Sequence, residues 1–391
     1  MVVGGGISGL GIAHMAARAG IRPLLLEADG RVGGALCSHL FETPEGPFWA
    51  EMGAHTCYNS YGNLLQILEE LQLLDTLLAK EKLSYCLLAQ RRIRSIPSQL
   101  AMFELLVALP RLFSVKKGGS TVAGYFSAIV GRNNYRRVIG PALNAVICQE
   151  AGEFPADALF RKKPRRKEVV RNFTGSGGLE SFARAIAAQP RLDIRRSVVV
   201  TGIERRDDGY LLHAKDGARF ETGKLVLAVA PDVAAPLLAQ TEPELAAVLS
   251  GIGMVEIETV AVILPADASP LEPLAGIIAA NDRFFSAVSR DPVPDGRYRA
   301  FSFHFRPEGL SRESKLERIC EVLDIHRESL LGVSERRNRL PALRLGHDEV
   351  VRRVDELLAG KRLGLTGNWF SGVSVEDCLI RSVEECDRLI G

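Results

Sequence analysis

A glycine-rich turn stands almost at the start of the chain and restricts the folds that it can adopt. Gly4, Gly6 and Gly9 form a Gly-x-Gly-x-x-Gly pattern between a short apolar strand and a helical pattern, and Glu27 closes the next apolar run. Gly4 permits a tight turn, Gly6 lets a pyrophosphate approach the backbone, and Gly9 lets the helix pack closely on the sheet. Ser8 lies in the first helical turn, whose free N–H groups and dipole favour phosphate. The pattern predicts a dinucleotide-binding α/β unit in which Glu27 accepts hydrogen bonds from the ribose hydroxyls.

The strand before this turn comprises residues 1–3 alone, which is unusually short for the centre of a doubly wound sheet. Two explanations stay open at this point. Either the start of the protein lies upstream, or the sheet tolerates a truncated first strand.

Composition excludes several classes of protein. The chain has 391 residues, of which 47% are hydrophobic, and its net charge is only +2, so no general attraction to nucleic acid is expected. Seven cysteines occur without a Cys-x-x-Cys pair, and the histidines form no metal-ligand grouping. We therefore expect a cytoplasmic protein with reduced thiols and without a metal site. The oligomeric state is left open.

The residues after Glu27 indicate which dinucleotide is bound. Arg31, Gly33 and Gly34 follow without an intervening helix, whereas NAD-dependent dehydrogenases normally run on into another helix here. This continuation resembles that of flavoproteins of the amine oxidase and protoporphyrinogen oxidase superfamily, and most of all its protoporphyrinogen oxidase-like members. The resemblance implies FAD, with Arg31 supplying charge to the pyrophosphate and the two glycines lying close to the ribityl phosphate. Ala35 departs from the family pattern, which usually has a second arginine.

A second glycine-rich turn precedes the last predicted helix. Residues 365–378 read LTGNWFSGVSVEDC, which resembles the closing flavin motif of the same superfamily. The resemblance implies that Gly367 and Asn368 contact the phosphate or ribityl side and that Val375 contacts the flavin ring. Relatives with this Asp-Cys pattern bind FAD non-covalently, so we expect Cys378 to be a packed thiol.

Three shorter segments extend the resemblance. Gly53 and Ala54 resemble a segment that lies along the isoalloxazine, and Val200 resembles a valine whose backbone contacts the adenine. His347 resembles a histidine ahead of the last flavin strand, and we expect it to be structural rather than a base. Motifs of one cofactor site are thus spread over distant parts of the chain.

These patterns predict an α/β fold, α+β overall, with three parts. A Rossmann-like FAD-binding domain is discontinuous and comprises residues 1–75, 173–235 and 340–391. Residues 76–172 are rich in helix signals and form a helical subdomain that faces the substrate or a membrane. Residues 236–339 contain alternating patterns and form a mixed-sheet substrate domain.

Local patterns give further expectations. Leucines at helical spacing predict an amphipathic helix over residues 63–79, and residues 122–151 predict two or three helices broken near Gly131 and at Gly140. The basic run at residues 161–171 is typical of a solvated face.

The apolar stretch at residues 100–113 allows more than one interpretation. It is too short to span a membrane and is interrupted by Glu104, Pro110 and Arg111. The pattern favours a buried helix. A helix on a membrane surface, giving a peripheral membrane contact, and the mouth of an apolar substrate tunnel stay open as alternatives.

The substrate is less constrained than the cofactor. Family members that oxidise amines commonly carry a lysine near flavin N5 on a strand of the substrate sheet, and residues 253–264 contain no Lys or Arg. We therefore expect an oxidase or desaturase that removes hydride from a small hydrophobic substrate, such as a tetrapyrrole or polyene, with O2 or a quinone as electron acceptor. Glu258 and His55 are candidates for groups that face the flavin.

Other functions remain open. One is a flavin-dependent amine oxidase. Another is a mutase or isomerase without net oxidation, whose sugar-phosphate pocket could use Arg132, Tyr135, Arg136 and Arg137. The last is a flavoprotein without catalytic activity.

Overall fold

The computed structural model describes residues 1–307, 309–370 and 372–391. Its strands are β1 (Val2–Val3), β2 (Leu24–Leu26), β3 (Ser38–Phe41), β4 (Phe48–Glu51), β5 (Cys57–Tyr58), β6 (Leu78–Ala79), β7 (Tyr85–Ala89), β8 (Arg92–Ser95), β9 (Asn172–Thr174), β10 (Asp193–Arg195), β11 (Val200–Arg206), β12 (Gly209–Ala214), β13 (Arg219–Thr222), β14 (Leu225–Leu227), β15 (Met254–Pro265), β16 (Gly276–Ala279), β17 (Phe284–Ser289), β18 (Tyr298–Phe305), β19 (Gly332–Pro341) and β20 (Leu363–Leu365). Its α-helices are α1 (Ile7–Arg18), α2 (Gly62–Glu70), α3 (Met102–Ala108), α4 (Val122–Val130), α5 (Arg132–Asn134), α6 (Gly140–Ile147), α7 (Glu180–Ala187), α8 (Pro231–Leu238), α9 (Pro243–Ser250), α10 (Arg312–Leu323), α11 (His347–Leu358) and α12 (Val375–Ile390).

A parallel five-stranded sheet carries the glycine-rich turn. Its strand order is β10-β2-β1-β14-β20, and every neighbouring pair runs parallel. The two-residue strand β1 is central, because Val2 and Val3 pair with β2 on one side and with β14 on the other. The predicted α/β architecture is confirmed.

Helices α1 and α12 pack together over this sheet. The hydroxyl of Ser382 donates a hydrogen bond to the carbonyl oxygen of Ser8 over 3.0 Å. Gly11 permits the close approach, since a Cβ on it would lie 2.4 Å from a methyl carbon of Leu379. The helices that follow the first and the last glycine-rich turn therefore share one hydrophobic core.

A second, seven-stranded sheet is built mainly from the middle of the chain. Its order is β19-β15-β18-β17-β16-β7-β8, and all neighbours are antiparallel except β16 and β7. Alternation along β15 gives the sheet two different faces: Val260 and Val262 pack in the core with α10, whereas Ala261 and Ile263 pack against Phe41 of the first part of the chain. The second face is therefore the one turned towards the glycine-rich turns.

Some predicted helix boundaries need correction. Helix α2 ends at Glu70 instead of continuing to residue 79, because Gln72 adopts a left-handed conformation with φ of 57°. The break at Gly131 is confirmed, with φ of 90°. The helix is not interrupted at Gly140, contrary to the expectation: a π-helical turn at Tyr135–Ile139 leads directly into α6, and Pro141 lies in the first turn of α6, where a proline is tolerated. The basic run at 161–171 is largely exposed, as expected.

The prediction of a buried helix at residues 100–113 is also wrong. Helix α3 and the 3₁₀ turn that follows it at Leu109–Phe113 leave most of their large apolar side chains exposed. Within the described part of the chain, no helix is long and apolar enough to cross a membrane. This segment therefore lies on the surface of the molecule.

Candidate functional site

The first glycine turn has the geometry of a phosphate-binding loop. Gly4 has φ of 105°, and a Cβ on it would lie 2.4 Å from the carbonyl oxygen of Ala228. A Cβ on Gly9 would lie 1.9 Å from the carbonyl oxygen of Gly4, so this glycine is needed for packing. Gly6 differs, because the nearest atom to its Cβ would be Gly34 Cα at 3.9 Å. Of the three glycines of this turn, Gly6 is therefore the one beside which a bound group could occupy the place of a side chain.

Glu27 lies directly beside the first glycine turn. Its carboxylate accepts hydrogen bonds from the backbone N–H of Gly5 at 2.5 Å and of Asp29 at 2.8 Å. Its carbonyl oxygen accepts the N–H of Val198 at 2.9 Å, which brings the segment leading into Val200 alongside. Glu27 and Val200, which are predicted to contact the ribose and the adenine of the cofactor, therefore lie in adjoining segments.

The second glycine pair lies against the first turn. The N–H of Gly33 donates to the carbonyl oxygen of Gly5 over 2.7 Å, and both Gly33 and Gly34 have positive φ. The Arg31 guanidinium donates to the carbonyl oxygens of Gly34 at 2.5 Å and Leu36 at 3.1 Å. Arg31 thus holds the loop itself together, and its contact with a pyrophosphate stays a prediction.

The third turn leads into α12. The hydroxyl of Ser374 accepts the N–H of Asp377 and donates to its carboxylate, which also accepts the N–H of Ser374. Lys163 forms an ion pair with Asp377 at 2.6 Å. The Asp of the Asp-Cys pattern is therefore one half of a capping box that fixes the start of the helix.

The predicted contacts in this third turn are placed as follows. Gly367 lies against the ring of Trp369, because a Cβ on Gly367 would be 2.8 Å from Nε1 of that ring. Asn368, the next residue, is partly exposed. Val375 is buried in the core around α1, so in this structure it is a packing residue. Burial raises the pKa of the Cys378 thiol to about 12, consistent with the expected packed thiol.

The segment predicted to lie along the isoalloxazine meets the seven-stranded sheet. Gly53 is in close contact with Ala35, whose carbonyl oxygen accepts the N–H of Ala54 at 2.9 Å. The side-chain amide of Asn338 donates to the carbonyl oxygen of Met52 at 2.8 Å. This contact connects strand β19 directly to the segment.

A polar row continues from Asn338 across three strands. Asn338 donates to the hydroxyl of Thr259 at 3.0 Å, and that hydroxyl lies 3.0 Å from Nδ1 of His304. On the other side, Arg336 donates to Asn338 at 3.0 Å and to the carbonyl oxygen of Gly34 at 3.4 Å. Through hydrogen bonds between buried or half-buried groups, this row joins the seven-stranded sheet to the glycine turns.

A cavity lies beside this row, between β4 and the ends of β17 and β18. The cavity is small, and its polar lining includes Glu51, His55, Lys80 and Arg290. The Lys80 ammonium donates to the carbonyl oxygen of His55 and to the hydroxyl of Thr56, both at 2.8 Å. The cavity therefore adjoins the segment that contains Gly53 and Ala54.

Burial shifts the titration of these groups towards their neutral forms. It lowers the pKa of His304 to about 4 and, with Lys80 nearby, that of His55 to about 3. It raises the pKa of Glu51 to about 7 and lowers that of Lys80 to about 8. The two histidines are neutral at pH 7, whereas Glu51 and Lys80 titrate close to it.

Two sets of predicted residues are placed differently from the expectation. Glu258 lies on the opposite face of β15 from Thr259, where its carboxylate pairs with Lys315 and, at 3.1 Å, with Arg337. The structure therefore corrects its candidacy as a group that faces the flavin. The residues proposed for a sugar-phosphate pocket are not gathered at the cavity, and three of them are exposed: Arg132, Arg136 and Arg137.

Sequence reasoning missed Lys80, Arg290 and His304. The search for a lysine was confined to the sheet strand at 253–264, whereas Lys80 reaches the site from the segment after β6. His304 gave a detectable signal, because it is a polar residue between two phenylalanines in a strand of alternating pattern. Arg290 follows β17 and gave no comparable signal.

Taken together, the open space at Gly6, the carboxylate of Glu27 and the two further glycine turns define a dinucleotide-binding protein with a cavity at the far end of its site. The residues present fit FAD, because a Cβ at Gly6 would fill the cradle that the paired turns leave open. The chain belongs to the family of flavin-containing amine oxidoreductases, whose family model matches residues 7–390.

Solved structures with the same fold support this assignment. A protoporphyrinogen oxidase candidate from Exiguobacterium sp. 255-15 is 20% identical with a TM-score of 0.81, covering 99% of this chain and 97% of that one. A reduced UDP-galactopyranose mutase is 15% identical with a TM-score of 0.78, covering 100% and 93%. A redesigned putrescine oxidase is 13% identical with a TM-score of 0.69, covering 100% and 98%. One fold is thus shared by proteins of different activity, so the fold alone does not select the reaction.

Proposed function

We propose that this protein is an FAD-dependent oxidase or desaturase that removes hydride from a largely apolar, uncharged or anionic substrate, of which a tetrapyrrole or a polyene is an example. FAD would be held non-covalently by the three glycine turns and by Glu27, and when bound it would supply the hydride acceptor. O2 or a quinone would reoxidise it. The seven cysteines are free thiols, which supports a cytoplasmic location.

The charge of the cavity carries this proposal. Lys80 and Arg290 both line it, and Glu51 is the one carboxylate among the described residues that do so. Because the pKa of Glu51 is raised to about 7, its charge is only partly present at neutral pH. The net positive charge of the cavity would therefore repel a protonated amine, whereas it would attract a carboxylate and would not repel an uncharged group. This disfavours the amine oxidase alternative.

Hydrogen-bonding capacity in the cavity supports the same substrate class. Arg290 stacks against the rings of Phe48 and Trp49, with its guanidinium carbon 4.7 Å and 4.6 Å from their centroids. Trp49 Nε1 and Arg290 Nε have no hydrogen-bond partner among the residues that the structure describes. A buried hydrogen-bond donor without a partner costs free energy, so an acceptor group on a bound substrate would be stabilised by these two N–H groups.

The other groups near the site would exclude water and position the substrate. The row from Arg336 to His304 closes the sheet against the glycine turns. Because both His55 and His304 are neutral, they can donate or accept hydrogen bonds without adding charge. No protein base is assigned to the reaction; positioning of a C–H bond would be the main contribution of the chain.

Anaerobic reduction of the purified yellow protein tests this proposal. We expect bleaching of the flavin absorbance by apolar ring systems or polyenes, and faster bleaching by those that carry a carboxylate. Lys80→Met should remove the preference for the carboxylate, and Lys82→Met, an exposed lysine nearby, should not. Faster bleaching by a simple amine would overturn the proposal, turnover of a nucleotide sugar without net reduction would favour a mutase, and bleaching by none of these would favour a flavoprotein without catalytic activity.

A further inference from the structure

The surface of α3 and the 3₁₀ turn after it is unusually apolar. We define the apolar patch by its seven exposed large side chains: Met102, Phe103, Leu106, Val107, Leu109, Leu112 and Phe113. The two phenylalanines are 81% and 89% exposed, and Met102, Leu106, Leu109 and Phe113 follow one another at intervals of three or four residues. Contiguous apolar surface of this kind marks an interaction site rather than scattered exposure.

The orientation of the patch is set by polar contacts on the inner side of α3. The carboxylate of Glu104 accepts the backbone N–H groups of Asn133 at 2.9 Å and Asn134 at 3.1 Å. The side chain of Asn134 in turn accepts the N–H of Ala101 at 2.7 Å and donates to its carbonyl oxygen at 3.1 Å. Because Glu104 and Ala108 face inward, most of the remaining apolar side chains of α3 face solvent.

The same part of the chain is strongly basic. Between residues 91 and 137 there are nine Lys and Arg residues and a single acidic residue, Glu104, although the whole chain carries only +2. Glu104 is the acid turned inward, and its contact with Asn133 brings α5 and Arg132 beside α3. Most of the basic side chains are exposed, namely Arg91, Arg92, Arg94, Arg111, Lys116, Arg132, Arg136 and Arg137.

We propose that the apolar patch docks on the surface of a membrane that contains anionic phospholipids. Apolar side chains would enter the interface between headgroups and acyl chains, and the surrounding cations would attract the anionic headgroups. The segment would lie on the bilayer without crossing it, consistent with the length of α3. A second copy of this chain fits less well, because an isologous contact would bring the same basic surface against itself.

Co-sedimentation of the holoprotein with vesicles tests the proposal. We expect at least tenfold tighter binding to vesicles of phosphatidylcholine mixed with phosphatidylglycerol than to phosphatidylcholine alone, and weakening with added salt. Phe103→Ser combined with Phe113→Ser should weaken binding at least tenfold while leaving the flavin spectrum and the Tm unchanged. Leu331→Ser, which changes a leucine that is 55% exposed outside the patch, serves as the matched control.

A second pair of variants separates the two contributions. Arg111→Gln combined with Lys116→Gln should weaken binding to the mixed vesicles and leave the weak binding to phosphatidylcholine unchanged. Unaltered binding of the double serine variant, or no binding of the original protein to either vesicle, would overturn the proposal. A dimer in solution that the double serine variant converts to a monomer would assign the patch to a second copy instead.

Discussion

Replacing Gly6 by alanine should separate folding from cofactor binding. A Cβ at this position would meet no atom closer than Gly34 Cα, 3.9 Å away, and the backbone φ of −71° suits any residue. Alanine is a poorer N-cap than glycine, so the free energy of unfolding of the apoprotein should fall by at most about 1 kcal/mol. The apoprotein of the variant should therefore fold and remain soluble.

The same methyl group should strongly weaken the binding of FAD. It would fill the space between the paired turns, and at least one hydrogen bond to the pyrophosphate would be lost. A hydrogen bond to a charged group contributes about 1.5–3 kcal/mol, which corresponds to a Kd about ten- to a hundredfold weaker. Titration of the apoprotein with FAD, followed by quenching of flavin fluorescence, measures this change. Gly296→Ala, at an exposed glycine with no atom near its built Cβ, is the control.

A neighbouring glycine provides the contrast. Gly9→Ala would place a methyl group 1.9 Å from the carbonyl oxygen of Gly4, so this variant should destabilise the apoprotein itself by about 1–3 kcal/mol. An unchanged Kd for FAD in Gly6→Ala would refute the assignment of the open space to the pyrophosphate. A loss of stability in Gly6→Ala as large as that in Gly9→Ala would show that Gly6 acts through packing.

Further variants test the buried groups. Burial raises the pKa of Glu51 from 4.5 to about 7. As the pH rises, the carboxyl therefore ionises in the unfolded protein before it ionises in the folded protein, and the free energy of unfolding should fall by about 3 kcal/mol between about pH 4.5 and pH 7. Urea unfolding at pH 5 and pH 8 should show that Glu51→Gln removes this loss. Lys80→Met should weaken binding of a carboxylate-bearing apolar ligand by about tenfold or more, because one charged donor is lost, and should leave binding of the methyl ester of that ligand unchanged. The perturbation of flavin absorbance by each ligand measures its binding. Equal effects on acid and ester would contradict the assignment of Lys80 to the carboxylate. Asp377→Ala should lower the free energy of unfolding by about 1–2 kcal/mol through loss of the capping box, as measured by thermal unfolding, whereas Asp387→Ala on the same helix should have little effect.

The cofactor motifs could be predicted from the sequence because each depends on local backbone geometry. Gly4 and Gly33 adopt positive φ, and Gly9 allows close packing, so spacing alone identifies these positions. The cavity could not be predicted in this way. Lys80 and Arg290 come from distant segments and meet only in the folded chain, and their combination leaves no pattern in any single segment.

The apolar stretch at residues 100–113 shows a second limit. Its composition favours burial, and the structure exposes it. The reason is tertiary: Glu104 is bound to the N–H groups of Asn133 and Asn134, which decides the face of α3 that points inward. A periodic pattern identifies the apolar face of a helix but not whether other parts of the protein cover it.

The parallel sheet has a consequence for the synthesis of the protein. Strand β20 and helix α12 are translated long after β1 and α1, yet β20 pairs with β14 and α12 packs on α1. Until they leave the ribosome, the edge of β14 and the apolar side of α1 have no native cover. A nascent chain would therefore expose uncovered apolar surface of an incomplete nucleotide-binding fold until residues 363–390 have been synthesised, and a cofactor could act as a folding template only after that point.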